Sequence, residues 1–393
     1  MDWKRQSGRD IQQLIFRTTM SRIHITFVGG QPIPVYQGIT ATNPNKIIFI
    51  YSKQSEDILH RIKKAIEQTF NQQKMPSVET ISLSPTDPHM IQEIATKLSA
   101  AHANDDISLN ITSGPKSWTY LFGIQFCKQN NTTIFYIDQN NILWNYSSME
   151  EEKTLFPDMK TLFYLQGTLP PTQYIDFKDF APEDSRVVMQ ITELIHVNTN
   201  NFFRLVALAR NQTGTTEFSL PNKSFLRWNK TEKSFDIQIT SAREDLRHTL
   251  KSPHVRQLLL KAGWFEYKVA QILSTWNQAK TIWTNCVFPY ANASAKNEID
   301  IIVDTGIKLL FVECKTQIED NTDIDKFKSA SENYGGKGCK TLFITEKRIK
   351  DNALEKCRDN KILTFSFEEY TSDSIAKQAL FNLLNNNFFN INA

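Results

Sequence analysis

Asn297-Glu298-Ile299-Asp300-Ile301-Ile302-Val303 and, shortly after, Lys308-Leu309-Leu310-Phe311-Val312-Glu313-Cys314-Lys315-Thr316 are the stretches that settle how the last third of this chain folds. Both are compact apolar runs rich in β-branched residues, as strands are, and Asp304-Thr305-Gly306 separates them as a hairpin turn does. Side chains alternate along a strand, so Glu298 and Asp300 share one face and Glu313 and Lys315 share a face of the next strand. Ile299, Ile301, Val312 and Cys314 then face a core. Strands disfavour Asp, Glu and Lys, and burying an unpaired charge is costly, so two carboxylates and a lysine set among such neighbours need a reason.

A divalent cation supplies that reason. Asp300 and Glu313 offer hard oxygen ligands to Mg²⁺ or Mn²⁺, which keeps several waters in its shell. A metal-bound water has a lowered pKa and attacks a phosphodiester, while Lys315 offsets the charge that develops on the phosphate. The plain alternative is a solvated hairpin face with a surface ion pair, and Glu-x-Lys recurs at Glu151/Lys153 and Glu266/Lys268. The apolar flanks weigh against it, as does the upstream segment Gly263-Trp264-Phe265-Glu266, whose Glu266 could close the metal site.

Working outward, residues 254–260 and 264–276 read as helices with Gly263 between them, residues 325–333 as a helix and 341–345 as a strand. Residues 242–393 are therefore expected to form a mixed α/β domain of ordinary size. From Glu266 through Asp300 and Glu313-Cys314-Lys315 to Lys326 and the Gly335-Gly336 turn, this region resembles the PD-(D/E)XK restriction-endonuclease-like superfamily. The resemblance implies that Glu266, Asp300, Glu313 and Lys315 are catalytic, that Glu266, Asp300 and Glu313 bind metal, and that Lys315 assists the attacking water. Ile299 stands where the superfamily's first motif has proline.

The N-terminal part, residues 1–143, reads differently. Residues 23–28, 46–51, 107–111 and 133–137 are buried-strand runs, and residues 55–70 and 89–101 carry apolar side chains at helical spacing. Strand alternating with helix means a doubly wound parallel sheet. Between the two domains, residues 144–241 contain the break Gly167-Thr168-Leu169-Pro170-Pro171 and no constellation that carries chemistry, so they read as a connector.

Two loops of the N-terminal part have the make-up of anion sites. Gly29, Gly30, Gln31 and Pro32 follow the first strand, and Ser113, Gly114, Pro115, Lys116 and Ser117 follow the strand ending at Ile111 and lead into a helix near Trp118. Each alone is an ordinary turn sequence, and neither has the spacing of a dinucleotide or Walker loop. Together they resemble the loops of the CRISPR-associated Rossmann-fold (CARF) sensor domains, most specifically in Asn110-Ile111-Thr112-Ser113-Gly114-Pro115-Lys116, with Pro115 a departure from the usual small polar residue. That resemblance implies a cyclic oligoadenylate activator, with cyclic tetra-adenylate expected, held by a homodimer. A CARF domain followed by a PD-(D/E)XK domain resembles the ancillary nucleases of type III CRISPR systems, which implies DNA, and in some cases single-stranded RNA, as substrate.

The chain has 393 residues, 40% hydrophobic and 22% charged, with a formal net charge of +3, which allows a polyanionic partner without demanding one. No apolar run is long enough to span a membrane, and Met1-Asp2-Trp3-Lys4-Arg5 does not lead into the apolar stretch of a signal peptide. The cysteines, Cys127, Cys286, Cys314, Cys339 and Cys357, are scattered and form no CxxC pair, so neither a disulfide framework nor a thiolate zinc site is expected, and the protein reads as cytoplasmic. Two other functions remain open on the sequence: a constitutive restriction- or repair-type endonuclease, and a non-catalytic nucleotide receptor.

Overall fold

The computed structural model describes residues 20–70, 74–211, 216–289, 298–306, 308–318, 321–336 and 339–389. The N-terminal residues read for a signal peptide, and Asn297, lie outside them. The chain divides into two compact units, Met1–Pro170 and Pro171–Ala393. Residues 144–170 thus lie within the first and residues 171–241 within the second.

In chain order the first unit runs β1 (Arg22–Val28), α1 (Pro32–Thr42), β2 (Lys46–Tyr51), α2 (Glu56–Thr69), β3 (Ser77–Ser82), α3 (Pro88–Ala101), β4 (Asp106–Asn110), α4 (Lys116–Phe126), β5 (Thr132–Ile137), β6 (Ile142–Asn145), β7 (Glu150–Lys153) and α5 (Met159–Gln166). Among the described residues these strands form a seven-stranded sheet in the order β3-β2-β1-β4-β5-β6-β7. The run from β3 to β5 is parallel, and β6 and β7 add antiparallel at one edge. The central strands are apolar almost throughout because helices cover both faces. On one face Ile23, Ile25 and Phe27 pack with Ile91 and Ala95 of α3 and Trp118 and Phe122 of α4. On the other, Val28, Ile47 and Phe49 meet Val35 and Ile39 of α1 and Ile62 and Ile66 of α2. The chain moves outward from β1 to β3 and then returns to place β4 on the other side of β1. The loops after β1 and β4 therefore flank the point where strand order reverses, which is where open α/β sheets leave a crevice.

The second unit runs β8 (Gln173–Asp176), α6 (Pro182–Val197), α7 (Thr199–Asn211), β9 (Glu217–Ser219), β10 (Phe225–Asn229), β11 (Ser234–Thr240), β12 (Asp245–Leu250), α8 (Val255–Leu260), α9 (Gly263–Ser274), β13 (Thr281–Val287), β14 (Glu298–Asp304), β15 (Leu309–Lys315), α10 (Thr322–Gly335), β16 (Lys340–Thr345), α11 (Asp351–Asp359), β17 (Leu363–Ser366) and α12 (Asp373–Phe389). Among the described residues it holds a six-stranded sheet, β17-β16-β15-β14-β13-β8, and a four-stranded antiparallel one, β12-β11-β10-β9. One continuous core joins Val187 and Ile191 of α6, Ile237 of β11, Val269 of α9, Ile301 of β14, Leu342 of β16 and Leu384 of α12. Asp184 pins the start of α6 to the segment before α8. Its buried carboxylate accepts from the Ala181 amide at 2.9 Å and the His254 amide at 3.2 Å, and meets His254 Nδ1 at 2.8 Å. Burial opposes its charge, but these hydrogen bonds outweigh that and hold its pKa below the usual value.

Candidate active site and ligand loops

The hairpin β14–β15 forms as its sequence requires. Ile299, Ile301, Val312 and Cys314 are buried. The antiparallel ladder pairs Ile301 with Val312 and runs from there toward the turn. One residue farther along, in place of another ladder pair, the Asp300 carboxylate accepts the Cys314 amide at 2.7 Å. Beside it Lys315 Nζ lies 2.7 Å from Glu313 Oε1, with side-chain exposures of 34% and 12%. Glu266 comes from the first turn of α9. Its Oε2 is shielded from solvent and among the described residues has no hydrogen-bond partner.

These groups perturb one another. Burial pushes the Asp300 pKa up to about 6, against the pull of Lys315 and of the Cys314 amide. Burial and the Asp300 charge push Glu313 up to about 8. Glu266 is raised well above the usual carboxylate range by burial and then by Asp300, Glu298 and Glu313. Burial works to lower the pKa of Lys315, but Glu313 and Asp300 outweigh it and raise it. Three carboxyl groups are thus held out of water with one ammonium to offset them, a donor set of hard oxygens whose repulsion a cation would relieve. Among the described residues no three or more His, Cys, Asp or Glu side chains converge into a ready-made metal cage. The set fits a Mg²⁺-type ion that takes few protein oxygens and keeps its waters.

β13 pairs with β14 on the side away from β15, and the sequence reading missed it. Its register against β8 shifts between Thr284 and Val287, and Asn285 within the shift has φ 53°, so a bulge interrupts the strand pattern beside the site.

In the first unit the two glycine loops meet. The Gly29 amide donates to Ser113 Oγ at 3.1 Å, and a Cβ on Gly29 would lie 2.6 Å from the Gly114 nitrogen. Gly114 has φ +89°, a conformation that suits glycine alone, with Phe27 directly against it. The first loop ends at α1, with Gln31 as its N-cap and Pro32 its first residue; the second ends at α4, with Pro115 as N-cap and Lys116 first. Both helix N-termini therefore stand over the crevice between β1 and β4, an arrangement that favours an anion. Beneath them, fully buried Asn110 donates to the Pro34 carbonyl at 3.2 Å and accepts from the Thr112 amide at 3.0 Å.

A model of the Card1 CARF domain matches residues 23–161. Those residues are a CARF domain. No protein of curated function matches the chain in sequence. Among solved structures, Can2 from Sulfobacillus thermosulfidooxidans, in complex with cyclic tetra-adenylate, is similar at 18% identity with a TM-score of 0.59, over 92% of this chain and 98% of that one. Protein VC1899 from Vibrio cholerae is similar at 14% identity with a TM-score of 0.66, over 92% of this chain and 97% of that one. At such identities the likeness is one of fold.

Within the CARF domain, Gly30, Gln31, Gly114 and Lys116 are exposed at the crevice. Two of the expected residues are engaged internally: Ser113 binds the Gly29 amide, and Ser117 Oγ donates to the Pro85 carbonyl at 2.8 Å. Pro115 contributes no amide to the loop. The residue that positions the crevice without facing it, Asn110, was legible only as part of the loop motif. No helix among the described residues is long and apolar enough to cross a membrane.

Proposed function

We propose that this protein is a cyclic oligoadenylate-activated, metal-dependent endonuclease of type III CRISPR defence. Cyclic tetra-adenylate is its activator, its substrate is DNA with single-stranded RNA as a second class, and it works as a cytoplasmic homodimer. The CARF match and the paired anion-type loops support the sensing half. The observation that carries the nuclease half is the pairing of Glu313 with Lys315 beside Asp300, with buried Glu266 near enough for the charges of Asp300 and Glu313 to raise its pKa. That grouping supports a PD-(D/E)XK assignment.

Asp300 and Glu313 would hold Mg²⁺ or Mn²⁺, with Glu266 completing the acidic wall. When bound, the cation supplies Lewis acidity and a water of lowered pKa. Asp300 is kept in one orientation by the Cys314 amide. Lys315, held charged by its carboxylate neighbours, stabilises negative charge on the phosphate and positions the nucleophilic water. In the CARF domain, the amides of Gly30, Gly114 and Ile33 and the first amides of α4 receive the activator's phosphates, and Lys116 adds a charge.

The test is cleavage of plasmid, single-stranded DNA and single-stranded RNA with Mn²⁺, with and without cyclic tetra-adenylate. Cleavage that needs both cation and activator is expected. Equal cleavage without activator would leave a constitutive endonuclease, and binding of activator with no cleavage a nucleotide receptor.

A further inference from the structure

β16 runs at its carboxyl end into Glu346-Lys347-Arg348-Ile349-Lys350, and backbone hydrogen bonds tie this loop to the end of β15. Lys315 pairs with Thr345 in the parallel register. The Glu346 amide then donates to the Lys315 carbonyl at 3.3 Å, and the Lys347 amide to the Thr316 carbonyl at 3.0 Å. The loop therefore begins beside the lysine of the carboxylate site.

Its backbone is fixed. Buried Thr345 donates from Oγ1 to the Lys347 carbonyl at 2.7 Å, and the Arg348 amide donates to Glu368 Oε2 at 2.8 Å. The Glu368 amide closes the ring by donating to the Glu346 carbonyl at 3.0 Å, and Ile349, 3% exposed, anchors the loop in the core. The side chains of Lys347, Arg348 and Lys350 all point to solvent. Lys347 Nζ sits 3.2 Å from Glu368 Oε1. Among the described residues Arg348 and Lys350 have no carboxylate within ion-pair distance. Asp351 opens α11, where an acid answers the helix dipole.

With Lys347 paired to Glu368, the fixed loop leaves two exposed cations, Arg348 and Lys350, without an ion-pair partner among the described residues, on a backbone tied to that of Lys315. Phosphate contacts of this kind position a strand and carry no sequence information. We propose that loop 347–350 is a backbone clamp for the nucleic-acid strand entering the carboxylate site, with Arg348 and Lys350 contacting phosphates that flank the scissile one. The inference rests on the nuclease reading and adds the surface that holds its substrate.

The experiment compares wild type, Arg348→Ala/Lys350→Ala, and the exposed control pair Lys230→Ala/Lys251→Ala, which removes the same charge elsewhere. Binding of a fluorescein-labelled oligodeoxynucleotide, single-stranded or annealed to its complement, is followed by anisotropy across a salt series, in EDTA and with cyclic tetra-adenylate present. Each lost phosphate contact lowers the slope of log K against log salt by about 0.9 on duplex and about 0.7 on a single strand, so the clamp variant should lose about 1.4–1.8. In Mn²⁺ its KM should rise about ten-fold with kcat little changed, as loss of uniform binding does. If the wild type cuts while the clamp variant keeps its affinity and slope, or if the control pair weakens binding as much, the clamp alone is overturned. A fall in kcat at constant KM overturns it too, by moving these residues into the chemistry. A wild type that neither binds nor cuts any probe overturns the nuclease reading and the clamp with it.

Discussion

The Asp300 carboxylate accepts the Cys314 amide at 2.7 Å, one residue past the Ile301–Val312 pair of the β14–β15 ladder. The backbone of one strand thus orients the acid of the other, and the acid stands at the point where the strands part. Replacing Asp300 or Glu313 by Ala should leave the fold intact and reduce cleavage by at least about 10²-fold, since each removes oxygen from a site that needs both. Retained turnover in either folded variant would remove that residue from the site.

The same burial has a sign in stability. Asp300 and Glu313 have folded-state pKa values of about 6 and about 8, above the ordinary carboxylate range, so the cation-free folded protein holds these protons more tightly than the unfolded chain. The stability these protons contribute is full below the ordinary carboxylate range and is lost as pH rises from there, the Asp300 share by about pH 6 and the Glu313 share by about pH 8. Asp300→Asn should therefore raise the Tm of EDTA-treated protein at about pH 8, by on the order of 1–3 kcal/mol in stability, and change it little at about pH 3.5, below the ordinary aspartate pKa. Calorimetric melts at the two pH values check this, and a Tm gain of equal size at both would exclude the charge as its cause.

Cation binding should run the other way, because ligands must lose their protons first. Mn²⁺ affinity is expected to climb as pH rises, with both carboxylates contributing up to about pH 6 and Glu313 alone, by up to about ten-fold per pH unit, from there to about pH 8. Titration calorimetry at stepped pH measures it. A flat profile between about pH 6 and 8 would take Glu313 out of the ligand set, and a flat one below about pH 6 would take out Asp300.

Much of this site could be read in the sequence because strand alternation alone puts Asp300, Glu313 and Lys315 on one side of Ile299, Ile301, Val312 and Cys314. The parallel sheet of the CARF domain was legible for the same kind of reason: its buried strands are unbroken apolar runs. The edges were not. β3 reads Ser77-Val78-Glu79-Thr80-Ile81-Ser82 and is largely exposed, and β7 reads Glu150-Glu151-Glu152-Lys153 and is wholly so; edge strands need no second apolar face, and charge there deters pairing. β13 was hidden by its own bulge, and the clamp loop by register, since nothing in the order of residues says that Glu346 and Lys347 return to the end of β15.

The two glycines of the ligand loops divide fold from binding. Gly114→Ala puts a Cβ 2.6 Å from that of Phe27 at φ +89°, and should destabilise the CARF domain by about 1–3 kcal/mol. Gly30→Ala points into open space and should leave stability within about 0.5 kcal/mol of wild type while weakening activator binding by crowding the crevice. Thermal melts paired with activator titrations separate the two. Unchanged activator affinity in Gly30→Ala would move the ligand off this loop.

Lys116 opens α4, is exposed, and among the described residues has no carboxylate within ion-pair distance, so its charge is free to meet a phosphate at a helix N-terminus. A cyclic tetranucleotide has near two-fold symmetry, and a C₂ dimer presents each loop pair twice around one such ring. A ligand shifts an equilibrium only by its differential affinity for the two states, so the activator must bind the active dimer more tightly than the resting one. Lys116→Ala should then weaken cyclic tetra-adenylate binding and raise the concentration needed for activation, with maximal cleavage at saturation unchanged, because the substitution leaves the carboxylate site intact. Calorimetric titration of wild type and variant decides it: equal affinities exclude Lys116 from the ligand site, and a stoichiometry of one ligand per monomer refutes a pocket shared across the dimer.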